Sequence, residues 1–154
     1  MTSTADHFKI PESVLVVMHT ADGEVLLLER ADHPGFWQSV TGSRAAADEP
    51  LRATCAREVE EETGLNVAPD DFDDWALTHI YAIYPQWRYR YAPGVTHNTE
   101  HVFGLRLAAP FAPRLAPREH VACGWLPWRE AADRCFSWTN AQAIRRLHAL
   151  RSEP

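Results

Sequence analysis

A chain of 154 residues with 45% hydrophobic and 23% charged residues has the composition of a globular domain and enough length to bury a core. Its formal net charge of -6 argues against a protein that grips a nucleic-acid backbone, because that affinity rests on Lys and Arg. Cys55, Cys123 and Cys135 are odd in number and lack CxxC spacing, which suggests neither a disulfide framework nor a zinc site. No apolar stretch reaches membrane-spanning length, and MTSTADHFKIPES lacks the basic start and apolar core of a leader. One domain over residues 1–154, cytoplasmic and with reduced thiols, is the expectation.

Val14 to Met18 and Glu24 to Arg30 are apolar runs separated by Ala21-Asp22-Gly23, and they predict a β-hairpin. Arg30 closes the second strand ahead of the breaker pair Pro34-Gly35, where its guanidinium could meet a phosphate or simply stay solvated. Residues 36–41 predict a short strand leading into Gly42. Asp48 or Glu49 is the expected helix cap, with Pro50 in the first turn, and Thr63-Gly64 ends the helix. Leu51, Cys55 and Val59 recur at i, i+4 and i+8, so one side of that helix faces a core.

The remaining elements follow the same rules. Residues 66–74 read as a surface connection and 77–84 as a strand closed by Pro85. Trp87-Arg88-Tyr89-Arg90-Tyr91 alternates with the period of a strand, and after the turn at 92–94 residues 100–107 return, predicting a second hairpin. Its aromatic face suits a core or a ligand platform, and its arginine face suits solvent, phosphate or RNA, the last opposed by the net charge. Pro110, Pro113 and Pro117 punctuate a loop. Glu119 and His120, a surface pair, a metal site or a general base, precede a last strand at 121–126. Helices are expected at 127–134 and 140–151, the second capped by Thr139 and presenting Ile144, Leu147 and Leu150.

The helix over residues 51–63 carries the densest chemistry. Glu58, Glu61 and Glu62 stand at i, i+3 and i+4 and share one face, while Glu60 points elsewhere. Like charges crowded at the negative end of a helix dipole cost stability. A hard divalent cation with oxygen ligands would neutralise them, and a solvated acidic face is the other way to tolerate them.

With Gly42, Glu49, Arg57, Glu58, Val59, Glu61, Glu62, Gly64 and Leu65 in order, the stretch from Gly42 to Leu65 resembles the signature box of the Nudix hydrolases. It departs from the family pattern in one place: six residues separate Gly42 from Glu49, one more than usual. The phrases FWQSVTGS, RYRYAPGVTHNTE and SWTNAQ, with Val40-Thr41-Gly42-Ser43 where most relatives have Pro-Gly-Gly, are similar to a branch of the family that acts on a pterin triphosphate. The similarity spans about Lys9 to Leu147.

That resemblance implies an α/β chain with the Nudix fold, a mixed β-sheet sandwiched between α-helices, with the box as a loop-helix-loop. It implies hydrolysis of a pterin triphosphate of folate biosynthesis to its monophosphate and pyrophosphate, with a broader nucleoside triphosphate pyrophosphohydrolase, active on dATP, as the alternative. The implied cofactor is Mg2+, with Mn2+ as a substitute. Its ligands would be Glu58, Glu61, Glu62 and Glu119. Glu61, Glu62 and Glu119 would also serve catalysis, with Arg57 holding Glu49 and the loop. Lys9, Arg30, Thr41, Tyr81, Tyr84, His120 and Ser137 would line the substrate cleft. The expected partner is a small-molecule triphosphate rather than nucleic acid or membrane, and the oligomeric state is open.

Overall fold

Val14 to Met18 is apolar at every position because this strand is covered on both faces. In the computed structural model, which describes residues 8–152, it forms the middle of strand β1 (Glu12–Thr20). The described residues continue through β2 (Glu24–Arg30), β3 (Trp37–Gln38), β4 (Val40–Ser43), α1 (Leu51–Thr63), β5 (Asp73–Ala82), β6 (His97–Leu107), β7 (His120–Pro127), α2 (Trp128–Arg134) and α3 (Trp138–Ser152). All seven strands join one sheet, whose main path runs β3-β2-β1-β6-β5, with β4 also against β1 and β7 also against β2. The β1–β6 pairing is parallel and the others are antiparallel, so the sheet is mixed. Among the described residues, no helix is long and apolar enough to cross a membrane.

Alternation along the strands sorts side chains to the two faces. Leu15, Val17, Leu27 and Val102 pack with Ile144 and Leu147 of α3. Val14, Val16, Met18, Leu26 and Leu28 pack with Cys55 and Val59 of α1. The sheet therefore lies between α1 on one face and α2 with α3 on the other, as the family resemblance implies.

Several local expectations are corrected. Residues 85–90 form a 3-10 helix rather than a strand, so the partner of β6 is β5 and the second hairpin takes a longer connection. Pro85 has no N–H to give a ladder, and the 3-10 repeat brings Tyr84 and Trp87 face to face, rings 5.2 Å apart, beside Phe136. The strand expected at 36–41 breaks at Ser39, whose N–H donates to Asn140 Oδ1 at 2.8 Å while its Oγ accepts from Asn140 Nδ2 at 2.9 Å. The strand expected from Leu77 begins at Asp73, with an irregular register between Asp74 and Leu77.

Helix ends differ as well. Neither Asp48 nor Glu49 caps α1: Pro50 occupies the cap position with no side-chain bond. Gly64 at φ 80° does end it, its N–H donating to the Glu60 carbonyl at 2.9 Å. Ser137 rather than Thr139 caps α3, accepting from the Asn140 N–H at 3.2 Å, and Leu150 is exposed instead of joining the core.

Gly104 on β6 is a packing requirement. A Cβ there would lie 2.4 Å from the buried indole of Trp75. Gly104→Ala should therefore destabilise the protein by about 1–3 kcal/mol through overpacking. A lower urea midpoint with unchanged slope is the expected result, and an unchanged midpoint would contradict this packing.

Candidate active site

The acidic positions of α1 are delivered by its apolar ones. Cys55 and Val59, fixed in the core, turn Glu58 and Glu62 toward β4. Glu58 reaches over the strand because Gly42 has no side chain: a Cβ there would stand 2.0 Å from the Glu58 carboxyl carbon. Both residues are buried, whereas Glu61 is half-exposed and Glu60 exposed.

Burial sets the electrostatics. Glu58 is pushed up to about 7 by burial and then by Glu61. Glu62 rises well above the usual carboxylate range through burial, with Glu58 and Glu119 adding repulsion. Neither oxygen of Glu62 accepts a hydrogen bond of good geometry among the described residues. Glu62, Glu119 and His120 bring one ligand atom each to within 4.8 Å of one another. Burial, then Arg30, lowers His120 to about 4. This set of carboxylate oxygens plus a neutral imidazole, with two buried oxygens lacking a hydrogen bond of good geometry among the described residues, fits a divalent cation.

The loop that carries Gly42 is held by arginines. Arg57 donates to both oxygens of Glu49 at 3.1 and 3.0 Å, to the Ser43 carbonyl at 2.9 Å and to Glu58 at 2.9 Å. Glu49 also accepts from Thr54 Oγ1 and the Ala45 N–H, and the Arg57 bond leads in holding it down to about 2. Arg44 adds a second brace, donating to the Glu49 carbonyl at 2.9 and 2.7 Å and to Glu12. The longer loop thus keeps its Glu49–Arg57 bond, with Arg44 tying down the backbone.

A cavity of about 610 Å³ opens beside these carboxylates. Glu58, Glu61, Glu62 and Glu119 line it, as do Lys9, Arg30, Thr41, Tyr81, Tyr84, His120 and Ser137; Arg57 does not, and acts through Glu49 and Glu58. A register shift between Glu29 and Arg30 sets Arg30 opposite His120, and its guanidinium lies 4.3 Å from the Trp87 ring while donating to Asp32 and Gln38. Lys9 is pulled down to about 8 by burial and by Arg90. Thr41 Oγ1 donates to the Val14 carbonyl, and Tyr81 Oη accepts from Asn98.

Sequence reasoning did not single out Gln38, Asn98, Glu100, Arg118, Trp138 or Asn140, all of which line the same cavity. One signal was present: Asn98 and Glu100 are polar at alternate positions that continue into buried Val102, so they point inward.

A chain in which a helix supplies clustered glutamates across a glycine strand of a helix-flanked mixed sheet defines a class. Residues 9–147 match the NUDIX domain family model, and the chain belongs to the Nudix family. It is 42% identical over 143 residues to the dihydroneopterin triphosphate diphosphatase of Escherichia coli (strain K12), covering 91% of this chain and 93% of that protein. The Haemophilus influenzae protein of the same name is 38% identical over 142 residues, covering 90% and 88%. The solved structure of the E. coli dihydroneopterin triphosphate pyrophosphohydrolase superposes with a TM-score of 0.83 at 41% identity, covering 90% of this chain and 95% of that one.

The raised carboxyls carry a sign. The folded protein holds these protons more tightly than the unfolded chain, so the pair contributes less stability as pH rises from the unfolded value of 4.5 through about 7. A cation needs the carboxylates ionised and should gain stabilising effect over the same window. The melting-temperature increment produced by millimolar magnesium or manganese should therefore be larger at about pH 8 than at about pH 5.5. Scanning fluorimetry with and without the cation measures it, and equal increments at both pH values would contradict the assignment.

Proposed function

We propose that this chain is a magnesium-dependent pyrophosphohydrolase of dihydroneopterin triphosphate, releasing dihydroneopterin monophosphate and pyrophosphate, and that it works in the cytoplasm. The observation that carries the reading is the buried carboxylate of Glu62, without a hydrogen bond of good geometry among the described residues, beside Glu58 in the wall of a cavity of about 610 Å³. The names of the relatives at 42% and 38% identity supply the substrate. Three free thiols accord with a reducing compartment.

Glu58, Glu62 and Glu119, with Glu61 and His120 close by, would hold the cation. When bound, it supplies charge neutralisation for the polyphosphate and a more acidic water. The chain's own groups do the rest. Arg30 and Lys9 bind phosphate oxygens and offset their charge. Glu61 and Glu119, exposed at the cavity wall, are placed to accept the proton of the attacking water. Arg57 keeps Glu58 and the loop carrying Gly42 in position through Glu49. Tyr81, Tyr84 and Trp87 give the flat heterocycle an aromatic enclosure.

With magnesium present, kcat/KM for dihydroneopterin triphosphate should exceed that for dATP and the other dNTPs by at least about tenfold. Glu62→Gln should lower kcat by about a hundredfold or more with the fold retained. A tenfold preference for any dNTP would sink the pterin assignment, and an unchanged kcat in Glu62→Gln would remove the proposed metal role.

A further inference from the structure

The cavity wall beyond the carboxylate cluster is built by β5 and β6, on the side of β1 away from β2 and β7. There, His79 and Tyr81 of β5 pair in register with Glu100 and Asn98 of β6, so all four side chains share a face. Ser13 of β1 lies opposite Glu100 on its other side. Glu100 is 4% exposed, and its Oε1 is buried without a hydrogen-bond donor among the described residues. Asn98 is 1% exposed, donates to Ser13 Oγ at 2.8 Å and Tyr81 Oη at 3.1 Å, and leaves its own Oδ1 buried and unpaired.

His79 backs Glu100 from the side away from the cavity. His79 Nδ1 stands 3.4 Å from Glu100 Oε1, and its other nitrogen is bonded at 2.5 Å to Gln142 Oε1 on α3. The pair keeps His79 above its ordinary value, chiefly through Glu100. At 3.4 Å without hydrogen-bond geometry, the imidazole backs the carboxyl group without satisfying its oxygen. A buried acceptor left in this state in the wall of a cavity is a site prepared for a donor that the described residues do not supply.

A carboxylate in the cavity wall, with the Asn98 side-chain oxygen two residues along the same face of β6, calls for a planar edge with adjacent donors. A 2-amino-4-oxopteridine has such an edge in its ring N3–H and exocyclic 2-amino group, which match the two oxygens of a carboxylate. Adenine sets a 6-amino donor beside the N1 lone pair, which would face a carboxylate oxygen and be repelled. We infer that Glu100, oriented by His79 and Gln142 and flanked by Asn98, binds the N3–H and 2-amino edge of the pterin and selects it over adenine, an inference that rests on the pterin reading above.

The test compares ligands as well as variants. Neopterin and the lumazine bearing the same side chain, which has a 2-oxo acceptor where neopterin has the 2-amino donors, are titrated by fluorescence against wild type, Glu100→Gln and Glu100→Asp. Turnover of dihydroneopterin triphosphate is assayed in parallel. Wild type should bind neopterin at least about tenfold more tightly than the lumazine, because the oxo group would leave two acceptors facing each other. Glu100→Gln should shrink the gap to about threefold or less, and Glu100→Asp, which restores a carboxylate, should recover part of it. Equal binding of the two ligands by wild type overturns the inference with no reference to how a variant folds. So does a full gap in Glu100→Gln. Hydrolysis of dihydroneopterin triphosphate without ligand discrimination leaves the proposed reaction standing and removes Glu100. Discrimination lost in Glu100→Gln without such hydrolysis keeps Glu100 and removes the reaction.

Discussion

Two carboxylates held together out of water, Glu58 and Glu62, are the constraint on which the rest of the site depends. Burial pushes both away from the ionised state, with Glu61 adding repulsion at Glu58, and Glu58 and Glu119 adding it at Glu62. The fold imposes this through packing: α1 is seated by Cys55 and Val59 against the sheet, and Gly42 leaves room for Glu58 above β4. Apolar burial on one side of the helix thus holds an unfavourable charge arrangement on the other. Sites that bind cations are built in this way, because the ligands must be in place before the ion offsets their repulsion.

Arg57 adds the only cation bonded to this cluster among the described residues, and it is placed behind the carboxylates rather than among them. Its bonds to Glu49, Ser43 and Glu58 tie the helix to the loop that carries Gly42. Glu49 is held as an anion by that guanidinium, Thr54 and a backbone N–H. The cluster keeps its negative charge toward the cavity while the loop is fixed by charge-assisted bonds. The additional residue before Glu49 is absorbed without loosening this arrangement, since Arg44 bonds the Glu49 carbonyl and Glu12.

The cavity joins two kinds of chemistry on either side of β1. Carboxylates with Arg30 face it from the side of β2, β4 and β7, and Tyr81, Asn98 and Glu100 face it from β5 and β6. On the proposed function, phosphate handling and heterocycle recognition come from segments far apart in the chain. Such a separation would let one carboxylate cluster serve different substrates, the proposed choice falling to the β5–β6 wall and the aromatic rings of residues 84–87, which line the same cavity.

Much of this was written in short-range pattern. The apolar run of β1, the Leu51-Cys55-Val59 face, the shared face of Glu58 and Glu62, and Gly64 as helix stop all follow from helix and strand periodicity, which acts over a few residues. Where the pattern misled, a distant contact was responsible. The alternation from Trp87 to Tyr91 mimics a strand, but Pro85 and stacking on Tyr84 and Phe136 make it a 3-10 helix. Ser39 breaks its strand because Asn140, 101 residues away, takes both its N–H and its hydroxyl. Alternation turned Glu100 inward, but the depth of burial of Glu62, the missing partner of Glu100 Oε1 and the meeting of Glu62 with Glu119 and His120 had no local signature. Periodicity says which side of an element turns inward. Only the packed sheet and helices settle which groups meet there and what water they exclude, and desolvation is what lifts ordinary glutamates out of the usual carboxylate range.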